Sequence, residues 1–228
     1  MSAGYLKNRI FVVAGIATAF LFTFGTFFYA WNLKNAKTAD VSKNFYFLVD
    51  ESTHIEASAY AAKQVGGAGY LLDVDERTYV AVSVYLNGTA GERAKNSFSE
   101  NRENAELLTL SGGTLYFKKR EEKRNSEKIV GAFRSLYGNI EVLEQEIARL
   151  EDNATQQSSK RVLRILENNF SYLDKEYKEI FPAYSQVCGN VAESLKQARE
   201  GIVYAKELRY LQCELCFAYV DLCKNFSL

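Results

Sequence analysis

The hydrophobic pattern of this 228-residue chain changes its period near Arg120. Before that point the clearest segment, Tyr79 to Leu86, alternates bulky and smaller residues as a β-strand does. After it, apolar residues recur at spacings of three and four, as on one face of a helix. The chain is therefore predicted to belong to the α+β class, with its strands in the first half and its helices in the second.

The helical half, residues 118–228, contains three apolar seams that predict an antiparallel helical bundle or coiled coil. Asn153 is predicted to cap the second helix, and Pro182 is predicted to break or kink that helix near its end. Three helices, or a helical hairpin with an added helix, would satisfy the pattern. The seams consist of Ile129, Phe133, Leu136, Ile140, Leu143, Ile147 and Leu150; of Leu163, Leu166, Phe170, Leu173, Tyr177, Ile180 and Tyr184; and of Tyr204, Leu208, Leu211, Leu215, Ala218 and Leu222.

The preceding segment, residues 45–117, is predicted to form a small β-α-β-β-α-β domain. Its first strand covers Phe45 to Val49, and a short Ala-rich helix ends at Gly66 and Gly67. Asp73 to Thr78 is predicted as a polar hairpin connection before the third strand. A polar helix from Thr89 to Asn101 and a strand from Ala105 to Leu110 follow.

This element order resembles the sporulation-related repeat (SPOR) domain, a ferredoxin-like module of bacterial bitopic membrane proteins. The resemblance rests on the aromatic first strand, the glycine turn Gly66-Gly67-Ala68-Gly69-Tyr70 and the strand from Tyr79 to Leu86 followed by a helix. It implies a domain that binds peptidoglycan glycan strands, in septation, sporulation or envelope organisation.

Four side chains are candidates for the glycan-binding face: Tyr46, Leu48, Tyr79 and Tyr85. Period-two alternation places Tyr79 and Tyr85 on one face of the third strand, where aromatic rings could stack on sugars. Alternatively these tyrosines cap a core with their hydroxyls in water. The resemblance also leaves open a ligand face on the opposite side, with Val80 and Val82.

An apolar run from Ile10 to Trp31 is long enough for a transmembrane helix, which needs about 20 residues. Its aromatic end lacks a small-residue cleavage site, so an uncleaved single-pass anchor in the lipid bilayer is expected rather than a signal peptide. Residues 1–9 would form a cytoplasmic tail and residues 32–44 a tether. The C-terminal domains are then expected outside the cell membrane.

The formal net charge is zero, which gives no electrostatic support for nucleic-acid binding. Cys213 and Cys216 have the spacing of a metal or redox pair, but His54 is the single histidine and no second pair has finger-like spacing. We expect Cys188, Cys213, Cys216 and Cys223 to pack as small buried hydrophobes, with a disulfide as the next alternative. No metal site, cofactor or catalytic set is predicted.

Two functions follow from these observations. The first is a non-catalytic, membrane-anchored protein that binds peptidoglycan during cell division or sporulation. The alternative is a structural coiled-coil scaffold that binds protein partners through its helical bundle, in which the SPOR-like domain has lost glycan binding. The strands lack the Gln and the Arg that the family often presents to its ligand, which favours the alternative, whereas the retained strand order and the membrane anchor favour the first.

Overall fold

The computed structural model describes residues 37–50, 54–99 and 105–227. Within these ranges the protein is α+β, with six helices and two antiparallel sheets. The elements in chain order are β1 (Lys37–Asp40), β2 (Asn44–Asp50), α1 (Ile55–Gln64), β3 (Tyr70–Val74), β4 (Arg77–Tyr85), α2 (Gly88–Ser99), β5 (Ala105–Ser111), β6 (Thr114–Phe117), α3 (Arg120–Glu151), α4 (Gln156–Tyr177), α5 (Pro182–Glu200) and α6 (Ala205–Lys224).

The larger sheet has the strand order β3-β4-β2-β5, and every neighbouring pair is antiparallel. Together with α1 and α2 it has the β-α-β-β-α-β order that the sequence predicts. Local chemistry explains its connections. Asp75 and Glu76, both with positive φ, form the two-residue turn between β3 and β4. Gly66, at a φ of 87°, ends α1, and the Gly67 amide donates to the Ala62 carbonyl at 2.8 Å.

The predicted tether contains structure that the sequence did not indicate. Residues Lys37–Asp40 form β1, which pairs antiparallel with β6 in a separate two-stranded sheet. Lys37 aligns with Phe117, so residues about 80 positions apart in the chain meet here. Such a pairing has no local signal because each strand is only four residues long.

The second half contains four helices, so the prediction of three is wrong. Pro182 occupies the first turn of α5, where a proline costs no hydrogen bond, and the segment around it starts a helix instead of kinking one. The cap of α4 is Thr155, whose side chain accepts from the Ser158 amide at 3.3 Å, whereas Asn153 lies in the preceding turn with positive φ. At the start of α4, the Gln156 side chain forms hydrogen bonds with both the amide and the carbonyl of Val203, which lies between α5 and α6.

One continuous hydrophobic core joins the larger sheet to the helices. Helix α6 is the central element, because it contacts β3, β4 and β5 on one side and α3 and α5 on the other. Its buried residues occur on nearly every side of the helix, as expected for an element enclosed between layers. They are Leu208, Leu211, Gln212, Cys213, Leu215, Cys216, Tyr219, Val220, Leu222 and Cys223.

The membrane-anchored, single-pass architecture is corrected by the structure. In residues 37–50, 54–99 and 105–227 no helix combines the length and the apolarity needed to cross a bilayer. The reason is amphipathicity: even α3, with 32 residues, carries charged side chains along its exposed side. The predicted span, residues 10–31, lies outside the described residues, and the transmembrane helix is not retained in the fold class or the localisation.

Candidate functional site

The four predicted glycan-binding residues do not share one face of the sheet. Tyr46 and Tyr85 are direct neighbours across β2 and β4, and Leu48 lies opposite Ser83. The register then shifts between Leu48 and Val49, which leaves Val82 as an extra residue in β4. This bulge reverses the alternation, so Tyr79 lies on the face opposite Tyr85. The expectation that Tyr79 and Tyr85 point to the same side is therefore wrong.

Helices also cover both faces of the larger sheet. Leu48 is only 2% exposed and packs with Val80 and Val82 beneath α1 and α2. Tyr46 lies so close to α2 that a Cβ on Gly88 would be 3.0 Å from its ring. Tyr79 packs against the main core on the other face. In the described part of the chain, neither face of the sheet is open to a glycan strand.

The edges of the larger sheet remain open instead. Strands β3 and β5 are its two edge strands, and among the described residues β3 pairs with β4 alone and β5 with β2 alone. The β3 edge is the one considered below, because it lies beside exposed aromatic side chains. Val74 and Arg77 flank the two-residue turn, so Val74, Leu72 and Tyr70 use their backbone groups to bond β4. The amide and carbonyl groups of Leu71 and Asp73 consequently point away from the sheet. No other described strand pairs with these groups, so they can pair with an added strand.

Exposed apolar side chains line this edge on both sides, and we call the surface the β3-edge groove. It consists of Tyr60 and Lys63 on α1, Tyr70 and Leu71 on β3, and Tyr210 on α6. Tyr60 is 67% exposed, Leu71 46% and Tyr210 38%. The groove encloses a cleft of about 410 Å³ and adjoins a second of about 520 Å³ between α1, α5 and α6, with Lys63 and Tyr210 common to both.

The aromatic rings of the groove contact one another and the Lys63 side chain. Tyr70 and Tyr210 meet edge to face, with ring centroids 5.2 Å apart, and the Lys63 ammonium lies 5.3 Å from the centre of the Tyr210 ring. Burial raises the pKa of both Tyr70 and Tyr210, and the nearby Glu214 carboxylate acts in the same direction. Both phenols therefore stay neutral and can donate hydrogen bonds at the groove.

Charge is distributed unevenly along β3. Lys63 lies at its N-terminal end, where its side chain packs against Gly69. Asp73, Asp75 and Glu76 follow at the C-terminal end and are all exposed. Arg77 lies beyond the turn on β4, away from the open edge, and has interactions of its own. The open edge thus has a basic side chain at the N-terminal end of β3 and acidic side chains at the C-terminal end.

A third cleft, of about 340 Å³, lies beneath α1 and α2 and includes Leu48, Tyr85 and Arg209. The Arg209 guanidinium group already has partners within the protein: it donates a hydrogen bond to the Gly66 carbonyl at 2.6 Å and forms an ion pair with Glu151. The Ser83 hydroxyl donates to Tyr85 at 2.9 Å. Arg209 thus connects α6 to the α1–β3 loop, and the polar groups named here bond within the protein.

The four cysteines are free and buried, which confirms their predicted role as small packed side chains. Burial raises the pKa of Cys188 to about 12 and also raises the pKa of Cys213 and Cys216. These groups remain thiols at neutral pH, where a nucleophile or a metal ligand must be a thiolate. Among the described residues no group of three or more His, Cys, Asp or Glu side chains is placed to hold a metal.

The β3-edge groove was not anticipated from the sequence. The available signal was the hairpin around Asp75 and Glu76, but which strand becomes an edge depends on how all four strands are ordered. No protein family, curated protein or solved structure matches this chain. The resemblance to the SPOR domain therefore stays a prediction.

Proposed function

We propose that this chain is a non-catalytic interaction protein that binds an extended segment of a partner protein by strand addition to β3. The observation that supports this proposal is the open edge of β3, flanked by exposed aromatic side chains from the helices on either side. In strand addition, backbone hydrogen bonds supply affinity and pockets for alternate side chains supply specificity. The groove provides both features.

The two sides of the edge define what a partner segment must contain. Leu71 shares the face of Val80, so a partner side chain on that face would meet Leu71 and Tyr60. A side chain on the opposite face would meet Tyr70 and Tyr210. A bound segment is therefore expected to carry apolar residues on both of its faces, as a strand between two apolar layers does.

A photo-reactive side chain at the edge tests this proposal. We expect p-benzoylphenylalanine in place of Leu71 to crosslink a partner segment in high yield, because residue 71 has outward backbone groups. The same probe in place of Ile165, which is 55% exposed on α4, is the matched control and should react poorly. Equal yields at the two positions, or none at Leu71, would contradict strand addition at β3.

Peptidoglycan binding is the second candidate, because the groove presents aromatic rings that suit a sugar. Tyr60 and Tyr210 line the 410 Å³ cleft together with Lys63 and Glu56, which could bond hydroxyl groups. A sugar ring against an aromatic face gains dispersion contacts and displaces water.

For this candidate, the protein should sediment with purified peptidoglycan, and Tyr60→Ala should weaken sedimentation by at least about tenfold in affinity. Tyr172→Ala, at a tyrosine 64% exposed on α4, is the control and should have no effect. If the unaltered protein stays in the supernatant, glycan binding is excluded.

A further inference from the structure

We infer that the partner segment is β3 of a second copy of this chain, paired antiparallel to give a continuous eight-stranded sheet. The inference rests on the proposed function and names the partner. In antiparallel pairing of two identical edges, a two-fold axis runs perpendicular to the sheet. Each copy contributes the same surface, so the edge must be complementary to itself.

The helices on the two faces of the sheet beside β3 are compatible with a self-complementary edge. A two-fold axis perpendicular to the sheet keeps both copies of α1 on one face and both copies of α6 on the other. Tyr60 would then approach the α1 layer of the second copy, and Tyr210 would approach its α6 layer. Exposed aromatic side chains on both faces would become covered, which is the main source of favourable free energy in such an interface.

The backbone restricts the register of this pairing. Only Leu71 and Asp73 direct their backbone groups outward, so hydrogen-bonded pairs must join these positions. Pairing Leu71 with Asp73 of the second copy centres the axis on Leu72 and uses all five residues of β3, whereas pairing Leu71 with Leu71 places Asp73 and Val74 opposite residues outside the strand. Pairing Asp73 with Asp73 would place two carboxylates directly opposite each other, which is destabilising.

Charge is complementary in this register. With the axis at Leu72, Gly69 lies opposite residue 75 of the second copy, and Leu71 lies opposite residue 73. Lys63, which packs on Gly69, would face Asp73 and Asp75 of the second copy. The contact occurs twice by symmetry. The basic end of each strand thus meets the acidic end of the other, as electrostatic complementarity requires.

The oligomeric state of the full chain tests the inference. We expect a concentration-dependent dimer in sedimentation-velocity ultracentrifugation. Leu71→Lys places a charge at the edge and should give a monomer, whereas Ile165→Lys, the same change on α4, should leave the dimer intact. Circular dichroism confirms that each variant retains the fold.

Reversing the charges at residues 63 and 73 gives a second test. A variant that loses the dimer through repulsion can be rescued by the opposite charge on the partner position, whereas a misfolded variant cannot. Lys63→Glu should raise the dimer dissociation constant at least about tenfold through like-charge repulsion. Lys63→Glu combined with Asp73→Lys restores opposite charges and should recover most of the affinity. A dimer that is insensitive to both Leu71→Lys and Lys63→Glu would overturn the inference.

The crosslinking experiment distinguishes the failure of this inference from failure of the proposed function. A probe at residue 71 that maps to residues 70–74 of another copy supports both. A monomeric protein whose probe captures a different protein overturns the second-copy inference and leaves strand addition standing. A monomer without any crosslink at residue 71 overturns both.

Discussion

Gly112 and Gly113 are adjacent, yet their surroundings differ sharply. A Cβ on Gly112 would lie 2.8 Å from a ring carbon of Tyr219 and 3.2 Å from the Val41 carbonyl. A Cβ on Gly113 would meet nothing within 4 Å. Gly112 is therefore required for the close approach of the β5–β6 turn to α6, and Gly113 is not.

We predict that Gly112→Ala lowers the free energy of unfolding by about 1–3 kcal/mol, because a tyrosine ring and a backbone carbonyl must both move. Gly113→Ala is the matched control and should change it by less than about 0.5 kcal/mol. Urea unfolding of the two variants makes the comparison. Equal effects at the two positions would show that contact with Tyr219 is not the reason why residue 112 must be glycine.

Cys188 leads to a prediction about pH. Its pKa is raised by burial from 9.0 to about 12, so the folded protein holds the proton more tightly than the unfolded chain. The stabilisation is complete below the unfolded pKa and is lost as the pH rises through about 9 to 12. The free energy of unfolding should fall between about pH 7 and pH 10.

The other buried thiols and phenols also lower the free energy of unfolding at high pH. Comparison with Cys188→Ala therefore isolates the contribution of Cys188. The free energy of unfolding of this variant should decline less between those two pH values than that of the unaltered protein. Identical pH dependence in the two proteins would mean that Cys188 is accessible to solvent in the folded state.

At the scale of elements, Tyr219 connects α6 to three other parts of the fold. Its ring contacts Phe45 of β2 and Phe133 of α3, with centroids 5.3 and 5.1 Å away. Its hydroxyl donates to the buried side of the β1–β2 connection, at the Val41 carbonyl, over 2.7 Å. One side chain thus connects α6 to β2, to α3 and to the β1–β2 connection.

We predict that Tyr219→Phe costs about 1–2 kcal/mol, because the Val41 carbonyl is left without its buried donor. Tyr219→Ala should cost about 3–5 kcal/mol, since a cavity forms where β2, α3 and α6 meet. The same pair of changes at Tyr172, 64% exposed on α4, should stay within about 0.5 kcal/mol. Thermal or urea unfolding gives the values, and a neutral Tyr219→Phe would contradict the role of the hydroxyl.

At the scale of the whole molecule, the core runs through the boundary predicted between residues 117 and 118. Phe45 and Phe47 of the sheet belong to the same cluster as Leu136 of α3 and Leu215 of α6. The Leu86 amide also donates to Glu144 of α3 at 3.1 Å, so polar contacts cross the boundary as well. Neither half has a complete core without the other.

We therefore predict one cooperative unfolding transition for the protein, with coincident curves from far-ultraviolet circular dichroism and tyrosine fluorescence. A fragment of residues 118–228 should lack cooperative unfolding, because α6 would expose the side that contacts the sheet. A fragment that unfolds cooperatively with a slope expected for its size would show instead that the helices form an independent domain.

Much of the local structure was predictable because its causes are local. The alternation in β4, the αL glycine after α1 and the three-four spacing in α3 each depend on residues within a few positions of one another. The period of the pattern determines the type of element, and turn chemistry determines where it ends. The α+β class and the order of β2, α1, β3, β4, α2 and β5 followed from these signals.

Pro182 and the bulge in β4 show where local reasoning ends. The apolar spacing continues through Pro182 to Tyr184, so the pattern alone does not distinguish a kinked helix from the start of α5. The extra residue at Val82 is defined only by pairing with β2, and it moves Tyr79 and Tyr85 to opposite faces. Both outcomes depend on neighbours that are remote in the chain.

The sequence by itself determined which segments are strands and helices, because hydrophobic period and caps act over a few residues. Tertiary structure alone decided that β1 pairs with β6, that α6 covers the second face of the sheet, and that β3 is one of its two edge strands. Each of these depends on contacts between residues far apart in sequence, whose free energy exists only once the elements are packed together. The candidate site belongs to that second group, since an edge is a property of the assembled sheet.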